Sequence, residues 1–414
     1  GTIVFISFII PRLGPFLSLV IAAIVYGLFT GMDTELMGYV AVGMGRIFSS
    51  LAIVVFSGAA IAEYLRKTGA IDRIVADLLL MTNKGLLVSG LAGYLISLPV
   101  MCSITAYMIL EPVVSGLGMQ TSGSSRRFLF MTAACSVISF NLIYPSPVMA
   151  SLTGSLNVKP YDLLTLSIPI SLLLFALAYI YMQRLPSEES KAVKRPVINI
   201  SRAKAWLPLI LPMGLILLGG LSKEAEFFGN TSISLLMGAL LCLIIEREKM
   251  QEIVHTATRR SGVIMLDLCG AGAFGYVVAQ SDLGKEIYGL GQVLPVLALP
   301  FIVSAVLQLA QGSRVVTAIV SSQILSNYPL DGTILALLIG SGAFMFSWFS
   351  DPYFWLIKES TGTNMKEMVK GYTLPLSILG LAALAVTVAY YFYQSLDEGF
   401  VSTSTIMVSF SVSP

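Results

Sequence analysis

Gly58-Ala59-Ala60-Ile61-Ala62-Glu63-Tyr64 in the first half of the chain is echoed by Gly270-Ala271-Gly272-Ala273-Phe274-Gly275-Tyr276 in the second. Ile168-Pro169-Ile170-Ser171-Leu172-Leu173 is echoed, in the same order, by Leu374-Pro375-Leu376-Ser377-Ile378-Leu379. Between these anchors each half carries an apolar helix interrupted near a proline, Pro147 in one half and Pro352 in the other. Broken helices at corresponding positions of two halves point to the binding site of a secondary transporter. The reason is energetic: unpaired backbone at membrane depth is tolerated only where protein or a water-filled cavity satisfies it.

The composition agrees with that reading. Of 414 residues 56% are hydrophobic and 12% charged, against about 25% charged in a soluble domain, and the mean hydropathy is +0.84. Apolar stretches long enough to cross the hydrocarbon core recur along the whole length. The chain reads as a multi-pass protein of the plasma membrane, with the lipid bilayer as its main partner. A net charge of +2 with no basic stripe excludes nucleic-acid binding. Cys102, Cys135, Cys242 and Cys269 lie in apolar segments without CxxC spacing and read as small buried hydrophobes. The single histidine, His255, builds neither a metal cluster nor a Ser-His-Asp site. No phosphate-cradling GxxxxGK[ST] is present to drive transport with ATP. No catalytic residues, metal site or cofactor are expected, and the chain is not read as an enzyme.

The first repeat covers 1–183. It contains a partial helix over 2–12, spans over 14–32 and 41–66, and a short amphipathic segment over 69–83. A hairpin candidate at 86–116, a broken helix at 126–156 and a last span at 160–183 follow. A polar linker at 184–205 separates it from the second repeat, 206–395, which has spans over 206–221, 231–246 and 253–280. Its hairpin is at 293–326, its broken helix at 332–361 and its last span at 372–395. The run Thr2 to Ile10 is too short to span and reads as the remainder of a longer helix. The tail, 396–414, alternates Ser/Thr with apolar residues, fits no helix pattern and receives no function.

Basic residues decide whether the hairpins cross. They mark the cytoplasmic side. With the linker (Arg184, Lys191, Lys194, Arg195, Arg202, Lys204) inside and both hairpins re-entrant, Arg66, Lys67, Lys84, Arg126, Arg127, Arg247, Arg259 and Arg260 all fall inside. A full crossing at either hairpin places most of one group outside. Each half then has five spans, an odd number, so the second inserts upside down. The expected fold is all-α, with two inverted-topology repeats, each of five spans plus one re-entrant helical hairpin and a broken helix. The hairpin tips meet near the midplane.

Within this frame Ala271-Gly272-Ala273-Phe274-Gly275, Leu283-Gly284-Lys285-Glu286-Ile287, Ala310-Gln311-Gly312-Ser313 and Gly340-Ser341-Gly342, followed by Ser350-Asp351-Pro352-Tyr353-Phe354-Trp355-Leu356-Ile357-Lys358-Glu359, resemble the gluconate permease family. The likeness spans nearly the whole chain and is strongest over 262–370. It implies proton-coupled uptake of sugar acids or small hydroxy acids, a homodimer, and a scaffold around which a transport domain moves. The chain departs from the family pattern at four places. Trp348 and Ser350 stand where the family has His and Asn, Ser146 where it has another His, and Arg314 where it has a small residue. The pocket chemistry is therefore altered, and no histidine relay is available.

Arg314 is the sharpest signal. A charge near the bilayer centre is costly and is functional or paired. Its fork matches a carboxylate, or it pairs with Asp267, Glu111 or Asp351. Asp351, before Pro352, is both a helix-cap type and a coupling-ion candidate. Asp267 is a second proton carrier or a structural partner for Arg314. Ser103, Thr105, Asn141, Ser146, Gln311, Gly312, Ser313, Ser347 and Ser350 stand at the breaks. As a cluster they suit a hydroxylated carboxylate facing helix N-termini. Glu63 reads as interfacial. The function expected is a secondary active symporter of small organic acid anions such as sugar acids or hydroxycarboxylates. The coupling ion is H+, with Na+ as the alternative, and the mechanism is alternating access. An anion exchanger or passive channel of the same fold is the rival reading.

Overall fold

The computed structural model describes residues 13–32, 34–82, 84–122, 125–185, 200–221, 226–281, 295–348 and 350–409. The expected partial helix at 2–12, most of the linker, Leu283 to Ile287 and the start of the second hairpin segment lie outside them. Every regular element among the described residues is helical.

In the first half these are α1 (Pro15–Phe29), α2 (Leu36–Thr68), α3 (Ala70–Met81), α4 (Gly85–Val100), α5 (Ser103–Ser122), α6 (Arg126–Leu142), α7 (Pro147–Leu156) and α8 (Pro160–Gln183). The second half has α9 (Arg202–Leu221), the short α10 (Glu226–Gly229), α11 (Thr231–Ile245) and α12 (Met250–Ala279). It continues with α13 (Ala298–Gln311), α14 (Arg314–Ile324), α15 (Gly332–Gly342), α16 (Pro352–Thr361), the short α17 (Met365–Met368) and α18 (Leu374–Ser409). α18 runs past 395, correcting the expectation of a non-helical tail. Once a helix is nucleated each further residue adds one backbone bond, so Ser and Thr do not stop it.

Proline and glycine punctuate the chain. Pro15, Pro147, Pro160 and Pro352 open their helices at positions whose N–H has no partner anyway. Gly69 (φ 70°) and Gly312 (φ 73°) close theirs in the left-handed region. Gly312 is the more constrained. A Cβ there would overlap the Ser350 carbonyl oxygen and lie 2.6 Å from Asp351 N. The α13–α14 turn therefore sits directly on the connection between α15 and α16.

Among the described residues six helical stretches are long and apolar enough to cross a membrane, including Leu36–Thr68 and Arg247–Ala279. α2 and α12 pack along each other. At their crossing a Cβ on Gly272 would stand 2.5 Å from Gly43 O. Membrane helices approach through such small residues because packing, not water exclusion, holds them together. α6 forms the centre, and the apolar stretch it makes with α7 is buried inside the protein.

Ionic clusters tie the halves together. Glu63, near the end of α2, is fully buried within the protein. It pairs with Arg66 and Lys67 one turn on and with Arg260 of α12 at 3.6 Å. Near the linker Asp77 of α3 accepts from Arg202 Nε and Trp206 Nε1 of α9, each at 3.0 Å. Burial alone pushes the Asp77 carboxyl up, but the Trp206 and Arg202 hydrogen bonds and the Arg202 charge hold it below the usual carboxylate range.

Candidate functional site

α4 and α5 meet at Met101-Cys102, and α13 and α14 at Gly312-Ser313. α6 breaks before α7 at 143–146, and α15 breaks before α16 at 343–351. All four interruptions border one cavity of about 250 Å³. The first residues of four helices line it: Ser103 of α5, Pro147 of α7, Arg314 of α14 and Pro352 of α16. A helix start carries about half a positive charge, and Ser146, Ser313 and Asp351 each cap one N–H of α7, α14 and α16. Pro15 and Leu19 of α1 and Ile264, Asp267 and Leu268 of α12 close the other wall. The lining is mainly apolar with a few polar groups, the usual make-up of a small-molecule site.

Arg314 is 5% exposed. Its Nη2 donates to Ser347 Oγ at 2.6 Å, Tyr372 OH at 3.0 Å and Asp351 Oδ2 at 3.1 Å. Its Nε has no partner, so one edge of the fork is spent and another is not. Asp351 does two jobs. Oδ1 accepts Tyr353 N at 2.9 Å and caps α16, while Oδ2 takes Arg314 and the Tyr372 hydroxyl, the latter at 3.3 Å. A buried charge pair of this kind is costly to break from one side, because the partner is left unpaired.

The other sequence-derived residues separate into groups. Ser103, Asp267, Gln311, Gly312, Ser313, Ser350 and Asp351 line the cavity with Arg314. Ser347 stands behind the guanidinium. Ser146 is buried, and its hydroxyl accepts Met149 N to cap α7. Thr105 is half-buried in the first turn of α5 with its N–H toward Cys102 Sγ. Asn141 is fully buried, away from the cavity lining, with neither amide atom partnered. The suggested Asp267–Arg314 pair does not form. Asp267 Oδ1 accepts the Phe16 backbone N–H at 3.1 Å and anchors α1 to α12. The reason is geometric: the guanidinium already faces Asp351 across the α13–α14 turn.

Gln311 Nε2 donates to Ser313 O at 3.0 Å and Thr317 Oγ1 at 2.8 Å, so it stiffens the turn that presents Arg314. Sequence reasoning missed Tyr372, Tyr353 and Cys102. Tyr372 lies in a π-helical turn, Val369–Thr373, a distortion frequent at functional sites but without a sequence signature here. Its ring meets Tyr353 edge to face at 5.6 Å, and Tyr353 OH bonds Ser136 Oγ of α6 at 2.9 Å. The Arg314–Asp351 pair is thereby tied to the central helix.

The family model for GntP family permeases matches residues 2–392. The low-affinity gluconate transporter of Escherichia coli (strain K12) is 25% identical over 93% of this chain and 96% of its own. The D-serine transporter DsdX of the same organism is 24% identical over 90% and 92%. The crystal structure of the Alcanivorax borkumensis YdaH transporter shares the fold with a TM-score of 0.62 at 17% identity, covering 91% of this chain and 97% of that one. A converging set of helix starts around a cavity, on a scaffold of long apolar helices, thus coincides with a family match across nearly the whole chain: the protein is a multi-pass membrane permease, not an enzyme, and belongs to the GntP permease family.

Proposed function

We propose that the chain is a secondary active symporter of small organic acid anions, coupled to protons, working by alternating access. The observation that carries this is the convergence of four helix N-termini and the Arg314 guanidinium on one small cavity. That arrangement attracts a carboxylate and rejects a cation. The similarity to a gluconate transporter supports sugar acids, and the similarity to a D-serine transporter widens the class to other small carboxylates.

Coupling follows from the Arg314–Asp351 pair. A proton on Asp351 cancels its charge and frees Arg314 to take the substrate carboxylate. Release of the proton on the other side restores the pair and expels the anion. Ser103, Gln311, Ser313 and Ser350 then bond substrate hydroxyls. Asp267, on the opposite wall, is the second coupling site. We further propose that the two helix pairs are re-entrant and that the halves are inverted repeats. In this scheme the turns and broken helices move, elevator-like, against α2 and α12 in a homodimer. What supports this scheme is that the cavity has α1 and α12 on one side and the four breaks on the other.

Proteoliposome uptake tests the function. Radiolabelled D-gluconate, glycerate and lactate should accumulate with an imposed proton gradient and not with sodium alone. Sodium-driven accumulation indicates the sodium symporter instead, and gradient-independent equilibration an exchanger or channel. Cysteine labelling tests the topology: a cysteine placed within 186–199 should resist impermeant reagents applied to intact cells, and rapid labelling from outside removes the inverted-repeat argument. Light scattering of the detergent-solubilised protein tests the homodimer.

A further inference from the structure

A second cavity, of about 430 Å³, opens where the C-terminal ends of α12 and α14 meet α2 and α7. Among the described residues, Arg46 is the one charged side chain that lines it, and no carboxylate does. The guanidinium lies over the Tyr276 ring, 4.6 Å from the centroid, and makes no ion pair among the described residues. Stacking on an aromatic face leaves the N–H edge of an arginine available. Gln323, 9% exposed, also lines the cavity, with its Oε1 packed against Gly275.

The position matters as much as the chemistry. Arg46 and Arg66 stand on the same continuous helix, separated by about 30 Å at 1.5 Å per residue, the thickness of the hydrocarbon core. With Arg66 at one membrane face, Arg46 is at the other. Gln323 follows Arg314 on α14, and Tyr276 follows Asp267 on α12, each by about 13 Å of helix rise. The two cavities are therefore stacked along the packed seam of α12 and α14.

We propose that this second cavity is a vestibular anion site. A small carboxylate is held there by Arg46, hydrogen-bonded by Gln323 and the neighbouring Ser155 and Asn327, before it reaches the central cavity. The delivery role rests on the transport reading above; the anion preference does not. Ser155 gives the test, because it lines this cavity. Cys135, Cys242 and Cys269 are buried, and Cys102→Ser removes the remaining partly exposed thiol.

In purified Cys102→Ser/Ser155→Cys protein, reaction rates are compared for two reagents: anionic sulfonatoethyl methanethiosulfonate and cationic trimethylammonioethyl methanethiosulfonate, each normalised to a free thiol. The expected anion preference is roughly tenfold, the effect of one nearby positive charge acting with opposite sign on the two reagents in water. It should persist in Arg46→Lys and vanish in Arg46→Gln, and millimolar D-gluconate should slow the reaction. A preference unchanged by Arg46→Gln, or no protection by D-gluconate, overturns the proposal. An intact preference with protection, where the unsubstituted protein shows no organic-acid uptake in proteoliposomes, sustains the vestibular site and sinks the transport reading.

Discussion

Arg314→Lys should raise the apparent Kd for the transported anion by about tenfold or more, because lysine keeps the charge but loses the planar two-point contact. One charge-assisted hydrogen bond contributes roughly 1.5–3 kcal/mol, which is about one to two decades of affinity. Arg314→Ala should do more. It leaves Asp351 buried with its cationic partner gone, at a cost of about 3–5 kcal/mol, so both uptake and thermal stability fall. Adding Asp351→Asn to Arg314→Ala should recover stability and leave transport lost. Asp267→Asn in the same background should recover neither, since Asp267 bonds the Phe16 N–H and not the guanidinium. Ligand binding and detergent melting curves for these variants separate the roles. Wild-type affinity in a folded Arg314→Ala protein ends the substrate-contact assignment.

Asp351→Asn should abolish gradient-driven accumulation while leaving exchange across the membrane partly intact. Asparagine caps a helix about as well as aspartate, so the bond to Tyr353 N survives and α16 keeps its start. What disappears is the titratable charge that competes with the substrate for Arg314. The internal-to-external concentration ratio of radiolabelled D-gluconate should fall to about one under an imposed proton gradient, while counterflow from preloaded vesicles continues and anion binding is not weakened. Full accumulation by this variant would remove Asp351 from the coupling step and leave Asp267 as the remaining carboxylate on the cavity wall.

Several elements of the site could be read from the chain before any coordinates. Ser146-Pro147 and Asp351-Pro352 announce helix starts locally: a side-chain acceptor one residue before a proline caps N–H groups within three residues of itself. Gly312 announces the α13–α14 turn in the same way, because only glycine takes that conformation freely. An arginine two residues later, in a sequence with so few charges, singled itself out. Membrane insertion needed nothing beyond composition and the length of the apolar runs.

The partners of these residues were not legible. Nothing near Arg314 in the sequence distinguishes Asp351 from Asp267 as its counter-charge, and the structure selects Asp351 because the Gly312 turn packs against the Ser350 carbonyl. Tyr372 reaches the guanidinium from a π-turn, and Glu63, already paired with Arg66 and Lys67 on its own helix, meets Arg260 of α12 as well. Local sequence fixes where each helix begins and ends, since caps, prolines and glycines act within one turn. Which helix ends share a cavity, and which charges meet inside it, depends on contacts between residues tens to hundreds of positions apart, and those only the tertiary packing decides.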